Sequence, residues 1–524
     1  MFFQVDGKPF FPLGGQANNS SAYNAAEIAS AIAGVKALGG NTLEAPVYWG
    51  QVEPQEGQFY FQPVDELLTA CRAAGLKLVI LWFATWKNGE MRYAPEWVKT
   101  DRARFRRVRR VDGTDMQVLS SHCRASLEAD KAAFSALAAH LKAAGAKDTV
   151  IAMQVENEPG ILGSDRDYGP EAMAGCKAPV PAELLAFLKA RGCGPTWQAW
   201  QDCGAPRGGS WLKCFGEHGP EFEQAWSIAR YIDEIAGAGK ALFPVPHYAN
   251  VWLGEQGWQL PGLYPAGGAV GRVLDVWKAA LTNLDFVAPD IYLTNPGDYR
   301  GACEIYHRAD NPLFVPESGP SDSNALNMLR AIADYDAEGY CYFAADSVLT
   351  PDGSAIRPEA SLFAESVSCV KALLPLLVKF HGTGRVHSVV QESGQANQRF
   401  LFERFIGLAD FANTGLHYDH RHTREPAITE GKPQYGLIVE ASPEEFYLVG
   451  NFRLYLVPRK SPEWMISFYN PFGFVPPDYL TVEEGTLDED GVFHALRERN
   501  GDEASWASFW ATPRCGVVRV RLTK

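Results

Sequence analysis

Between residue 9 and about residue 378 the chain alternates eight times between a short apolar run and a stretch with helical spacing. The runs fall at 10–15, 41–48, 76–83, 150–156, 242–250, 286–293, 312–317 and 339–346. Between them lie stretches such as the one carrying Ile28, Ile32, Val35 and Leu38 on a single stripe, closed by Gly39 and Gly40. Further helices are expected over 64–74, 126–144, 221–238, 270–282, 324–337 and 359–378. Apolar runs of strand length, each followed by an amphipathic helix, demand a parallel sheet covered by helices. Eight repeats predict a (β/α)8 barrel, a TIM barrel, over residues 1–380, with a long Gly-, Pro-, Trp- and Cys-rich insertion at about 161–220 after the fourth strand. An open doubly wound sheet is the alternative, but no G-x-G-x-x-G loop follows the first strand.

Beyond residue 380 the period changes. Runs at 436–440, 445–449, 452–457 and 517–522 are β-rich and separated by turn residues, which predicts a C-terminal all-β, sandwich-like domain over 381–524. At the other end, Asp6-Gly7 reads as the turn of a small hairpin. No basic segment followed by an apolar run opens the chain, and no window of about 18 apolar residues occurs, so a cytoplasmic protein is expected, or a periplasmic or exported one if a signal peptide has been removed. A net charge of −14 argues against nucleic acid and anionic membrane as partners. Ten cysteines include no C-x-x-C pair. Cys193, Cys203 and Cys214 sit in the insertion, where free thiols are expected and a disulfide or a structural metal is the alternative.

The fourth and seventh runs end alike. Residues 150–160 stop on Asn157, Glu158, Pro159 and Gly160, and residues 312–319 stop on Glu317, Ser318 and Gly319. Proline gives no N–H to a ladder and glycine permits a turn, so each glutamate stands where a core strand becomes a loop. In parallel α/β folds that end carries the chemistry. One carboxyl to protonate a leaving oxygen and one to attack a sugar is the equipment of a glycosidase; the plainer reading makes both glutamates charged strand caps. Glu156 lies two residues from Glu158, so strand alternation puts both on one face unless a turn intervenes. Tyr292, ending the sixth run, is placed to donate to Glu317. Gln16, Asn18, Glu44, Trp86, Tyr248, Asn250 and Asp346 lie at or near expected strand ends and are candidate sugar contacts, or else satisfied polar groups in the barrel mouth.

Gln154 to Glu158 is very close to the Q-V-E-N-E segment of family 35 β-galactosidases, and Trp49 to Phe61 matches the W-x-x-x-E-P-x-x-G-x-[FY]-x-F signature of families 35 and 42. Residues 1–380 thus resemble the retaining glycoside hydrolases of clan A, and the C-terminal part looks like the β domain of unknown function found behind some bacterial family 35 barrels. The resemblance implies Glu158 as general acid/base, Glu317 as nucleophile and Asn157 as partner of the sugar 2-hydroxyl. It implies no cofactor and no metal, and a homodimer as a mild expectation. The activity it implies is a retaining exo-β-glycosidase, foremost a β-galactosidase acting on plant cell-wall oligosaccharides. A β-glucosidase and a non-catalytic glycan-binding barrel are the alternatives. Two departures bear on the sugar. The Cys-Ala-Glu-Trp segment of common members is replaced by the stretch from Phe83 to Gly89, and Pro46 stands near the position of a tyrosine.

Overall fold

The computed structural model describes residues 3–254, 259–411, 433–459, 478–499 and 508–523. Seven parallel strands form one curled sheet: β1 (Leu13–Gln16), β2 (Thr42–Tyr48), β3 (Lys77–Lys87), β4 (Val150–Asn157), β5 (His247–Trp252), β6 (Phe286–Asp290) and β7 (Tyr340–Phe343). Their order is β6-β5-β4-β3-β2-β1-β7. Helices α1 (Ala25–Ala37), α2 (Gln62–Ala74), α3 (Arg124–Ala143), α4 (Gly219–Leu242), α5 (Leu274–Ala280), α6 (Pro296–Tyr306), α7 (Asp322–Asp334) and α8 (Ser361–Phe380) follow the strands in turn. Local signals set their ends. Asn24 accepts from the N–H groups of Ala26 and Glu27 at the start of α1, and Gly75 at φ 68° closes α2.

The seventh strand of the sequence reading is not a regular strand. Residues 313–318 nevertheless close the ring between β6 and β7. On the β7 side the N–H groups of Glu338, Cys341 and Phe343 donate to the carbonyls of Leu313, Val315 and Ser318 at 2.7, 2.8 and 2.8 Å. On the β6 side Ile291 donates to the Glu317 carbonyl at 2.9 Å. Pro289, Pro312 and Pro316 remove three N–H groups that a ladder would need. The Asn311 side chain replaces part of it, accepting from Val287 N and donating to Val287 O, both at 3.0 Å. The chain therefore folds as a barrel of seven strands and one proline-broken segment.

Other boundaries moved for physical reasons. β3 runs on to Lys87 instead of stopping near Phe83, with register shifts between Trp82 and Lys87. α4 continues to Leu242, so β5 begins at His247 and not at residue 242. The insertion folds into short helices between Pro170 and His218. Cys193, Cys203 and Cys214 are free thiols there. The N-terminal hairpin pairs Gln4–Val5 with Lys8–Pro9; Met1 and Phe2 lie outside the described residues.

After α8 come the antiparallel strands β8 (Val386–Val390), β9 (Asn397–Leu401), β10 (Phe405–Asp410), β11 (Tyr435–Ser442), β12 (Glu445–Pro458), β13 (Tyr479–Leu487), β14 (Phe493–Glu498), β15 (Ser508–Ala511) and β16 (Val517–Leu522). The runs at 445–449 and 452–457 are one strand, β12. Its first half pairs with β11 and β16 and its second half with β10 and β15. Gly450, at φ 128°, sits at the crossover, where a Cβ would lie 2.2 Å from the Tyr435 carbonyl oxygen. Leu437, Val439, Tyr447, Val449 and Val517 of this domain belong to the same buried cluster as Leu373, Leu376 and Leu377 of α8 and the barrel core. α8 is long and apolar enough by composition to cross a membrane. Its apolar surface forms the seam between barrel and β domain.

Candidate active site

β4 ends in an unusual way. Glu156 and Glu158 have φ of 65° and 45°, left-handed values that non-glycine residues avoid at a cost of about 1–3 kcal/mol each. The expectation that strand alternation puts both glutamates on one face fails here, because the turned backbone sends them apart. Glu156 points into the helix layer, fully buried, where its Oε2 accepts from Trp86 N at 2.7 Å and its carboxyl meets that of Asp130 on α3. Burial, and then Asp130, push the Glu156 carboxyl well above its ordinary range. Glu158 instead faces a cleft of about 410 Å³ at the C-terminal ends of the strands, with Lys87, Asp290, Tyr292 and Glu317.

Glu317 is held from several strands. Tyr292 Oη donates to its Oε2 at 2.9 Å; Gln16 Nε2, Asn157 Nδ2 and Asn250 Nδ2 approach its Oε1 at 2.9, 3.3 and 3.4 Å. Four donors on one carboxylate suit a group that must stay charged. Asn250 also accepts from Glu158 N at 2.8 Å and donates to Asp290 Oδ2 at 2.7 Å, tying the glutamate-bearing turn to β6. Asn157 is fully buried, its amide bridging Lys87 Nζ at 2.7 Å and Glu317.

One carboxylate oxygen from each of Glu158, Asp290 and Glu317 lies within 4.8 Å of the others. Burial first, and the Glu317 charge second, raise Glu158 to about 7; Lys87 and a hydrogen bond with Asp290 oppose the rise. Asp290 is pushed up well above the usual carboxylate range by burial, then by Glu317 and Glu158. Two carboxyls in hydrogen-bond contact must share a proton, so Glu158 and Asp290 titrate as a pair.

The remaining candidates divide. Gln16 and Asn250 reach the cleft through Glu317. Asn18 donates to Asp346 Oδ1 at 2.6 Å, beside the cleft residues Asn19 and Phe343 but not in its wall. Glu44 and Tyr248 are corrections: both are fully buried inside the barrel, joined at 3.3 Å, and line no part of the cleft. Trp86 is another, turned into the helix layer against Tyr231 of α4 at 4.9 Å between ring centroids. Lys87 and Asp290 were missed. Lys87 follows the expected end of β3 and Asp290 precedes Tyr292, so a search for polar residues just past strand ends had a signal for both.

Residues 2–233 match the model of the glycosyl hydrolases family 35, and residues 363–509 match a domain of unknown function, DUF5597. A comparison with curated proteins finds no match. Among solved structures, the catalytic domain of a β-amylase from Paenibacillus polymyxa shares 16% identity at a TM-score of 0.48, covering 68% of this chain and 97% of its own. A β-galactosidase from Bacillus circulans sp. alkalophilus gives 15% and 0.49, covering 70% and 57%, and one from Rahnella sp. R3 gives 17% and 0.48, covering 75% and 59%. The chain thus spans less than two thirds of the length of those two β-galactosidases. The family 35 match runs through the turn that carries Glu158, so residues 2–233 are similar to the glycosyl hydrolases of family 35, and DUF5597 stands behind the barrel.

Proposed function

We propose that the chain is a retaining exo-β-glycosidase, foremost a β-galactosidase, in which Glu317 is the nucleophile and Glu158 the general acid/base. The observation that carries the reading is the pair itself, two buried glutamates from opposite sides of the barrel with carboxylate oxygens within 4.8 Å. Retaining enzymes hold their carboxyls at about 5–5.5 Å, whereas inverting ones leave about 6.5–9.5 Å for a water. The family match reaches Glu158 and stops before Glu317, so the nucleophile's role rests on geometry.

In the first step a Glu317 oxygen attacks the anomeric carbon while Glu158 gives its proton to the departing glycosidic oxygen. A carboxyl raised to about 7 still holds that proton near neutrality. Water then enters, Glu158 takes its proton, and the covalent ester on Glu317 is cleaved with net retention. Tyr292, Gln16, Asn157 and Asn250 keep the attacking carboxylate aimed. The replaced Cys-Ala-Glu-Trp segment, with Lys87 in the cleft, favours a second reading in which the sugar is another β-glycoside such as a glucoside.

A panel of nitrophenyl β-glycosides separates these readings. Fastest release from the galactoside is expected, with anomer-resolved NMR showing β-galactose as first product. Release of α-sugar would overturn the retaining assignment. A faster glucoside would replace the sugar, and release from none between about pH 4 and 8 would make the barrel a glycan-binding module.

A further inference from the structure

A second cavity of about 410 Å³ lies beside the catalytic cleft, walled by Arg92, Lys99, Arg102 and Arg107 with one carboxylate, Glu90. It is built from the loop after β3, the short helix Glu96–Thr100, and the hairpin pairing Arg107–Arg109 with Asp115–Leu119. Met91 N donates to Gln117 O at 3.1 Å and Lys99 Nζ to Arg92 O at 2.7 Å, which hold loop, helix and hairpin together. Asn88 lines the catalytic cleft and Glu90 lines this cavity. Two residues of chain span at most about 7 Å, so the two hollows adjoin.

The charge balance here is inverted relative to the molecule. A chain of net charge −14 gathers four cations around one hollow. Glu90 is ion-paired with Arg92, and the nearby Asp115 with Arg109. Among the described residues Lys99, Arg102 and Arg107 have no salt-bridge partner. Arg107 is more than nine-tenths buried; its Nη2 donates to Lys99 O at 2.7 Å, and its Nε and Nη1 have no partner. A buried guanidinium with orphan donors is costly unless an acceptor arrives. Burial and then Arg102 lower the proton affinity of Arg107, with Asp115 opposing them, and burial and then Arg107 lower that of Lys99.

We propose that this cavity binds the carboxylate or sulfate group of an acidic sugar unit attached to the glycoside in the catalytic cleft. The proposal rests on the glycosidase reading and narrows its substrate to acidic oligosaccharides. Arginine's fixed fork suits planar oxyanions, and the cavity's distance from the cleft suits a group on the neighbouring part of the same chain.

The test compares a β-galactosyl disaccharide ending in glucuronic acid with its glucose counterpart, both by calorimetric binding and by turnover. The wild-type chain is expected to bind the acidic one at least about tenfold more tightly at about 20 mM salt, with the advantage shrinking at high salt. Sulfate should compete with the acidic disaccharide and not with the neutral one. Arg107→Met should erase the preference. Because Arg107 is buried and its loss endangers the hairpin, Arg102→Ala on the exposed rim is the second variant, expected to weaken the preference several-fold. Equal binding of the two disaccharides by the wild-type chain, or a preference intact in both variants, overturns the proposal. Sulfate binding without an acidic preference overturns it too, in favour of a free inorganic anion. Failure of the glycosidase reading shows separately, as hydrolysis of neither disaccharide while the difference in binding stands.

Discussion

The two glutamates proposed as catalytic differ most in what surrounds them, and that difference can be tested residue by residue. Glu317→Gly removes the attacking oxygen, so azide entering from that face should give a glycosyl azide of inverted configuration. Glu158→Ala should spare acidic aryl leaving groups and stall at the ester, which azide should release with retention. Swapped stereochemistry by NMR would exchange the roles. Asp290 enters because it shares a proton with Glu158. In Asp290→Asn the amide donates to Glu158 and favours its charged form, so the alkaline limb of kcat/KM should move to lower pH by about half a unit or more. Substrates with poor leaving groups should suffer most; a limb that stays in place would deny the shared proton. Glu158 also costs stability. Its ordinary value is 4.5 and its folded value about 7, so the folded state binds the proton more tightly. The contribution is full below pH 4.5 and is lost as pH rises through about 7. Glu158→Gln should therefore resist denaturant better than the wild-type chain at pH 8 and not at pH 4.

At the scale of elements, the alternation of apolar run and helix was readable because burial on both faces and amphipathic stripes leave strong patterns. The strand ends carrying Glu158 and Glu317 were readable for the same reason. What lay beyond the sequence was backbone direction. The left-handed turns at Glu156 and Glu158 reverse the side-chain parity, so Glu156 could not be assigned a face from spacing alone. Tyr248 looks like a strand-end residue when the strand is placed at 242–250; with β5 running from His247 to Trp252 it is the second residue of the strand and falls near the bottom of the barrel. The seventh position is the clearest case, since its prolines break the ladder and Asn311 stands in for it. Asn311→Ala should leave Val287 N and O without partners and cost about 2–4 kcal/mol. Because Glu317 rides on this segment, kcat should fall as well. Denaturant midpoints and kcat measured together check this, and an unchanged midpoint would mean the segment is held without Asn311.

At the scale of the whole molecule, the barrel and the β domain share a core. Tyr435, Leu437, Val439, Tyr447 and Val449 face α8, whose Leu373, Leu376 and Leu377 they help bury, and Tyr435 Oη donates to Glu365 of α8 at 2.5 Å. A second apolar cluster, with Phe402, Phe446, Phe452, Leu454 and Val518, lies within the β domain. An apolar seam of this kind couples the units, whereas a small polar one lets domains unfold separately. The full chain should therefore melt in one calorimetric transition. A polar charge in the seam should split it: Leu437→Asp buries an unpaired carboxylate between the two units, where it costs several kcal/mol. Two transitions are then expected, the earlier one accompanied by exposure of α8 and binding of an apolar dye. A chain ending near residue 381 should lose soluble expression for the same reason, because α8 would present its leucines to water. Two well-separated transitions in the wild-type chain, or a soluble and active barrel cut at 381, would show that the β domain is an independent passenger and that α8 needs no cover.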